Sequence, residues 1–217
     1  MKILITGFDA FGGEKINPSI ETVKRLPDVI AGAEMIRLEI PTVRYKSLDA
    51  VEKAIEKYDP DVILSIGQAG GRADISVERI GINVDDFRIP DNERNQAVDE
   101  PICPQGPDAY FVKVPVKAMA ARIRERNIPA SVSNTAGTFV CNHVIYGVCH
   151  MIAQRYPKKR SGFIHIPYLP EQTLDKRNMP SMSQEMMVEA VTAAIEAIVE
   201  SEDSGLISAA KALIASK

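Results

Sequence analysis

The chain alternates short apolar runs with segments in which apolar residues recur at helical spacing. Residues 3–5, which lead to Gly7, and residues 61–66, which lead to Gly67, are typical of buried strands. Segments with apolar residues three or four positions apart follow both runs. This alternation predicts an α/β fold, a three-layer α/β/α sandwich around an open, mostly parallel, twisted sheet.

The same pattern predicts the remaining elements. Further strands are expected at residues 35–40, 75–84, 130–133 and 162–166. Helices are expected to begin at Asn17-Pro18 and near Leu48, Val116, Cys141 and Ser183. Ser181 and Gln184 have the spacing of a capping box for the last helix. No linker or repeat divides the sequence, so we expect one domain over residues 1–217.

Composition narrows the class of protein. The 26 basic and 29 acidic residues give a net charge of -3, which argues against a nucleic-acid-binding protein. No apolar run is long enough for a signal peptide or a membrane span, so we expect no membrane partner. The 3 cysteines form no CxxC pair, which favours free thiols and a cytoplasmic location.

Cys141 is the first candidate for chemistry, because it lies between a predicted strand and a predicted helix. The positive end of a helix dipole stabilises a thiolate, and free N–H groups there can hold an oxyanion. A buried apolar cysteine is the alternative. Cys149 lies mid-helix among apolar residues and is expected in the core, whereas Cys103 has no evident partner.

An active thiol usually needs a base, and the sequence offers 3 histidines. His143 and His150 share the predicted helix of Cys141, but residues two apart do not face each other, and His150 is more than two turns away. His165 lies near the carboxyl end of a predicted strand, where ligands bind in open α/β sheets. A histidine that is merely packed there is an equally good reading.

Glu78 falls on the apolar face of the predicted strand at residues 75–84. A carboxylate on such a face needs a partner, because an unpaired buried charge is costly. Either a structural Arg or Lys or the imidazole of His165 would serve, and the pattern alone slightly favours the structural Arg or Lys.

Two glycine-rich turns, residues 7–13 and 67–71, follow predicted strands. Neither has the spacing of a phosphate-binding loop, so tight turns are the better interpretation. Phe8 and Phe11 stand out in the first turn and are placed to line a pocket. No metal site is expected, and Asp85, Asp86 and Asp91 are interpreted as solvated loop charges rather than ligands of a divalent ion.

Six segments are similar to the pyroglutamyl peptidase I family of cysteine peptidases, also called pyrrolidone carboxyl peptidases. They are residues 7–13 (GFDAFGG), 67–72 (GQAGGR), 77–80 (VERI), 88–92 (RIPDN), 136–142 (AGTFVCN) and 163–172 (FIHIPYLPEQ). The resemblance runs from residue 1 to about residue 195. Gly81 departs from it, because many relatives carry alanine there.

The resemblance implies a cysteine exopeptidase that removes an N-terminal pyroglutamyl residue from peptides through a thioester. It implies Cys141 as nucleophile, His165 as base and Glu78 as the acid that orients the base. Arg88 is a weaker candidate for stabilising charge. The residues implied to bind the pyroglutamyl group are Phe8, Phe11, Gln68, Ile89 and Val140. Among them, Gln68 is implied to lie near the lactam.

The resemblance also implies a cytoplasmic homotetramer that needs no cofactor. Two other hypotheses remain open at this point. One is a nucleoside phosphorylase-like glycosyl transferase that holds phosphate at a glycine turn beside Arg72. The other is a binding module that has lost its activity.

Overall fold

The computed structural model describes the backbone of residues 1–215 and the side chains of residues 1–201. The strands are β1 (Lys2–Phe8), β2 (Val29–Ile30), β3 (Ala33–Ile40), β4 (Val62–Gln68), β5 (Ile75–Glu78), β6 (Ile80–Ile82), β7 (Ala109–Phe111), β8 (Ala130–Ser133) and β9 (Arg160–Ile166). The helices are α1 (Pro18–Arg25), α2 (Lys46–Tyr58), α3 (Val116–Glu125), α4 (Val140–Arg155) and α5 (Gln184–Ala215).

The central sheet has the strand order β2-β3-β1-β4-β9-β5-β8 within the described chain. Neighbouring strands run parallel at four of its junctions. Two junctions are antiparallel, between β2 and β3 and between β9 and β5. The predicted, mostly parallel sheet is therefore confirmed. The antiparallel pairing of β5 with β9 is not predicted by the alternation of strands and helices.

Helices cover both faces of the sheet, as the sequence predicts. Ile3 and Ile5 point into one apolar cluster, which they share with α1, α3 and α5. Leu4, between them, points into the opposite cluster, which it shares with α2 and α4. Because side chains alternate along a strand, a run that is buried at every position needs a layer on each side.

The single strand predicted at residues 75–84 is wrong. The chain leaves the sheet at Arg79, whose N–H donates to the carbonyl of Ser133 and whose carbonyl accepts from Val112. The following segment, β6, pairs instead with β7 in a separate two-stranded ribbon. Glu78 consequently ends a four-residue strand and shares no continuous face with Ile82.

The sequence predicted caps for the first helix and the last. The Asn17 side chain accepts from the Ser19 N–H at the start of α1, as the Asn-Pro pair predicts. The predicted capping box at the last helix is wrong, because the Ser183 hydroxyl, not that of Ser181, accepts from the Met186 N–H. The Gln184 amide donates to the Thr22 hydroxyl and so ties the start of α5 to α1.

The long loop between β6 and β7 is anchored by buried carboxylates. Asp85 is fully buried and lies 2.8 Å from Nδ1 of His143 on α4. Asp91 is also buried and accepts from the backbone N–H groups of Arg44, Glu93 and Asn95. The interpretation of these two residues as solvated charges is therefore wrong, although Asp86 is exposed. No helix in the described part of the chain is long and apolar enough to cross a bilayer.

Gly7 gives a test of the contact between β1 and α1. A Cβ at Gly7 would lie 2.6 Å from both N and Cα of Ile20, which are backbone atoms that cannot turn aside. We expect Gly7→Ala to lower the free energy of unfolding by about 2 kcal/mol, as overpacking does. Urea denaturation at an unchanged m-value measures the loss.

Gly147→Ala is the matched control. There the added Cβ would meet only side-chain atoms of Leu48, and alanine gains about 1 kcal/mol of helix propensity inside α4. We expect a clearly smaller loss than at Gly7. Equal losses in the two variants would contradict the argument that backbone contact decides the cost.

Candidate active site

Glu78 and His165 meet across the antiparallel junction of β5 and β9. In the register, Glu78 lies opposite Phe163 and Ser76 lies opposite His165, so Glu78 and His165 are diagonal neighbours on one face. Long side chains reach across such a diagonal. His165 Nδ1 lies 2.8 Å from Glu78 Oε1, and both side chains are almost fully buried.

Arg72 binds the same carboxylate oxygen. Its Nη1 lies 2.6 Å from Glu78 Oε1, and its Nη2 donates to the carbonyl of Thr135. Glu78 therefore has both partners that the sequence left open, a structural arginine and the imidazole of His165. These two partners compensate the charge at Oε1, whereas Oε2 is buried without a hydrogen-bond partner among the described residues.

Cys141 is the second residue of α4, and a glycine makes room for its thiol. Gly67 pairs with His165 in the register of β4 and β9. A Cβ at Gly67 would lie 2.9 Å from Cys141 Sγ and 2.8 Å from the ring of Phe163. Only a residue without a side chain lets the thiol approach the sheet at the strand position beside His165.

The ionisation of Glu78 and His165 leaves the imidazole able to accept a proton. Burial disfavours the carboxylate of Glu78, but its hydrogen bond and charge interaction with His165, to which the hydrogen bond from Arg72 adds, outweigh burial and lower its pKa. Burial also lowers the pKa of His165, and Arg72 adds to this, against the opposing effect of Glu78. The pair therefore rests as a carboxylate and a neutral imidazole with Nδ1–H toward Glu78, which leaves Nε2 free to accept a proton.

The expected thiolate at Cys141 is not the resting form. Burial and the charge of Glu78 raise the pKa of the thiol to about 12, although Arg72 acts in the opposite direction. The helix position alone predicted the reverse, because it could not anticipate the buried carboxylate nearby. The thiol keeps its proton until a base removes it.

The thiol and the imidazole open into one cleft of about 440 Å³. Of the candidates for substrate binding, Phe11, Gln68 and Ile89 line it, as does Arg88. Phe8 and Val140 are buried in the core instead, with Phe8 6.3 Å from the ring of Phe163. Their side chains are not among those that line the cleft.

Gln68 has a fixed amide orientation. Gln172 Oε1 accepts from the Leu169 N–H, so its amide nitrogen points the other way and donates to Gln68 Oε1 at 2.9 Å. The same nitrogen also lies 3.2 Å from a carboxylate oxygen of Glu14. Gln68 therefore has its oxygen engaged and its NH₂ group available as a donor.

A model of the pyroglutamyl peptidase family matches residues 1–201 of the chain. The chain belongs to this family. The pyrrolidone-carboxylate peptidase of Treponema denticola is 60% identical over 215 residues, which are 97% of this chain and 99% of that relative. The Finegoldia magna protein of the same name is 58% identical over 203 residues, covering 94% of this chain and 95% of its own.

Solved structures agree. The crystal structure of pyroglutamyl peptidase I from Bacillus amyloliquefaciens has a TM-score of 0.88 at 50% identity, over 91% of this chain and 95% of that chain. A mutant pyrrolidone carboxyl peptidase from Pyrococcus furiosus has a TM-score of 0.88 at 45% identity, over 93% and 99% of the two chains. The predicted family, fold class and enzyme class are confirmed, and the protein is a peptidase.

Arg72 is not available for the role that the glycosyl transferase hypothesis requires. The glycosyl transferase hypothesis needed Arg72 as a free anion ligand, but Arg72 is held by Glu78 and Thr135.

The two other histidines, His143 and His150, have their partners elsewhere in the fold. His143 lies between Asp85 and the Tyr45 N–H, and His150 lies near Cys103.

Sequence reasoning missed Phe139 and Gln172 in the candidate site. Phe139 lines the cleft, with its ring 5.9 Å from that of Phe11. Its position just before the helix of Cys141 was a usable signal, and its neighbour Val140, which was predicted instead, is buried in the core. Gln172 stands behind Gln68, 104 residues away in sequence, and no local pattern marks that contact.

The lowered pKa of His165 leads to a prediction about its titration. A depressed pKa means that the imidazole stays neutral until the pH falls below its ordinary value of about 6.5. Arg72→Gln removes a positive charge that lowers this pKa, so we expect the titration of His165 to move to higher pH. NMR of the histidine rings, assigned with His165→Gln, measures the shift.

Arg88→Gln is the matched control for that titration, because Arg88 also lines the cleft and has a charge but is not among the groups that shift His165. We expect it to leave the midpoint nearly unchanged. Equal shifts in the two variants would mean that the pKa of His165 responds to any positive charge in the cleft, and not specifically to Arg72, which contacts Glu78.

Proposed function

We propose that this peptidase hydrolyses the bond after an N-terminal pyroglutamyl residue of peptides, through a thioester on Cys141. The observation that carries the proposal is the buried Glu78–His165 pair, 2.8 Å between Oε1 and Nδ1, on the strand beside the glycine that admits the Cys141 thiol. The names of the relatives support the choice of substrate.

In the first step, His165 Nε2 accepts the proton of the Cys141 thiol while Sγ attacks the carbonyl carbon after pyroglutamate. Because burial raises the pKa of this thiol to about 12, the proton leaves with the attack rather than before it. The imidazolium that forms is stabilised by the carboxylate of Glu78, which also fixes the ring orientation.

The oxyanion of the tetrahedral intermediate is held at the start of α4. The first N–H groups of a helix have no acceptor within the helix and point outward, with the positive end of the helix dipole behind them. Cys141 is the second residue of α4, so the carbonyl under attack lies beside these groups. Arg88 lines the same cleft and adds positive charge.

Collapse of the intermediate completes the reaction. His165 gives its proton to the leaving amine, and the thioester between Cys141 and pyroglutamate remains. A water molecule then attacks the thioester while His165 takes its proton. Pyroglutamic acid leaves, and the thiol is restored with its proton.

Recognition of the substrate rests on a neutral ring. Pyroglutamate has a lactam in place of the N-terminal ammonium, and it fits against the apolar surface of Phe11, Ile89 and Phe139. The NH₂ group of Gln68, oriented by Gln172, donates to the lactam carbonyl. Phe11, Ile89 and Phe139 offer no acceptor for an ammonium, so a charged N-terminus is penalised where it lies against these three side chains.

The roles of Phe8 and Val140 are to support this surface from the core, since both are buried and Phe8 packs against Phe163. The single domain, the cytoplasmic location, the homotetramer and the independence from cofactors stay predictions. Peptides with N-terminal pyroglutamate are the partners that we propose.

Cys141→Ser tests the nucleophile. We expect kcat/KM for a pyroglutamyl amide to fall at least about a thousandfold, because a hydroxyl is a far poorer nucleophile at neutral pH. Cys149→Ser and Cys103→Ser are the matched controls and should keep most of the activity. Cys149 is buried against the Ser161 hydroxyl, 3.2 Å away, and neither cysteine lines the cleft. If Cys149→Ser loses activity while Cys141→Ser keeps it, Cys141 is not the nucleophile.

Substrate discrimination tests the recognition of the ring. We expect kcat/KM for a pyroglutamyl amide to exceed that for prolyl and glutaminyl amides by at least about a thousandfold, because both competitors have an ammonium and neither has the lactam. Gln172→Leu releases the amide of Gln68 and should lower kcat/KM for the pyroglutamyl amide about tenfold.

Gln184→Leu is the matched control, because Gln184 is a buried glutamine that donates to Thr22 and does not line the cleft. It should affect stability and leave the discrimination unchanged. Comparable kcat/KM values for prolyl and pyroglutamyl amides in the unmodified enzyme would reject the proposed pocket and indicate a general aminopeptidase.

A further inference from the structure

A second cysteine and histidine face each other away from the peptidase site. Cys103 Sγ lies 3.5 Å from His150 Nε2, although the two residues are 47 positions apart. The sequence shows no evident partner for Cys103, and the structure places His150 beside it. His150 is on the third turn of α4, and Cys103 is in the loop that leads to β7.

Both residues are fixed in place by their neighbours. The Asn83 side chain binds the backbone of Cys103 twice, accepting from its N–H at 2.9 Å and donating to its carbonyl at 2.8 Å. The Tyr110 hydroxyl lies 3.0 Å from His150 Nδ1. The ring of Tyr146 stacks on the imidazole at 6.1 Å with an interplanar angle of 8°.

The pair opens into a cleft of about 360 Å³, which lies within the size range of small-molecule sites. Its wall includes apolar groups from Leu48 and Met151. The charged lining residues are Asp49, Glu52 and Arg155, and Arg155 forms an ion pair with Glu52. Asp49 is left as a net negative charge, which favours a cationic ligand over an anionic one.

We propose that Cys103 is a second reactive thiol, which His150 activates for thiol–disulfide exchange with small cationic disulfides that enter this cleft. Tyr110 holds the imidazole so that Nε2 faces the thiol. The site is separate from the peptidase cleft, since the two clefts have no lining residue in common.

The exchange proceeds as follows. The Cys103 thiol gives its proton to His150 Nε2, and the thiolate attacks one sulfur of the small disulfide. A new bond forms between Cys103 Sγ and that sulfur while the original S–S bond breaks. The second sulfur leaves as a thiolate and takes the proton from His150. Cys103 is oxidised, the leaving half is reduced, and an excess of small thiol reverses the reaction.

The test uses the full chain with Cys141→Ser, which leaves Cys103 and Cys149 as the reactive candidates. The protein is treated with cystamine, and peptide mapping by mass spectrometry gives the rate at each cysteine. We expect Cys103 to acquire one cysteamine group at least about tenfold faster than Cys149. The anionic analogue dithiodipropionate should react several-fold more slowly.

Variants of the neighbours separate activation from exposure. His150→Gln should slow the reaction of Cys103 about tenfold, and Tyr110→Phe should slow it less. An unchanged melting temperature shows that each variant is folded, and Cys103→Ser should abolish the adduct. If Cys103 reacts equally fast with and without His150, the proposal fails. Equal labelling of Cys149 would also overturn it, because it would indicate opening of the core.

Discussion

The buried carboxylate of Glu78 is the constraint on which the site depends. A charge that is fully inside the protein needs partners, and Glu78 obtains His165 and Arg72 at 2.8 and 2.6 Å on the same oxygen. The antiparallel junction of β5 with β9 makes this possible, because it places the two side chains diagonally on one face.

The same carboxylate influences which groups of the site are protonated. It keeps the proton of His165 on Nδ1, and its charge adds to burial in raising the pKa of the Cys141 thiol. Arg72 limits the effect by neutralising part of that charge. The arrangement favours a neutral thiol beside a neutral base over a preformed ion pair. Neither group of a neutral resting pair loses solvation of a charge when a neutral ring covers it.

The fold was largely predictable, because period and caps are local properties. Residues 3–5 and the Asn17 cap determine their elements with little help from the rest of the chain. The break at Arg79 was not predictable, because the hydrogen bonds that end β5 come from Ser133 and Val112. The residue types at Cys141, His165 and Glu78 indicated the chemistry, and the resemblance supplied their pairing. The support of Gln68 by Gln172 and the raised thiol pKa depend on contacts between distant segments, which leave no local pattern.

The imidazoles of His165 and His150 have different partners, and the proposed reactions at Cys141 and Cys103 differ accordingly. Both have an imidazole, but the partner of His165 is a carboxylate, whereas that of His150 is the neutral hydroxyl of Tyr110. A phenol orients the ring but does not stabilise an imidazolium as Glu78 does. Cys141 also begins a helix and has outward N–H groups beside it, whereas the N–H of Cys103 is bound by Asn83. Without an oxyanion site, acyl transfer at Cys103 lacks its main source of stabilisation, while disulfide exchange, which develops no oxyanion, does not require one.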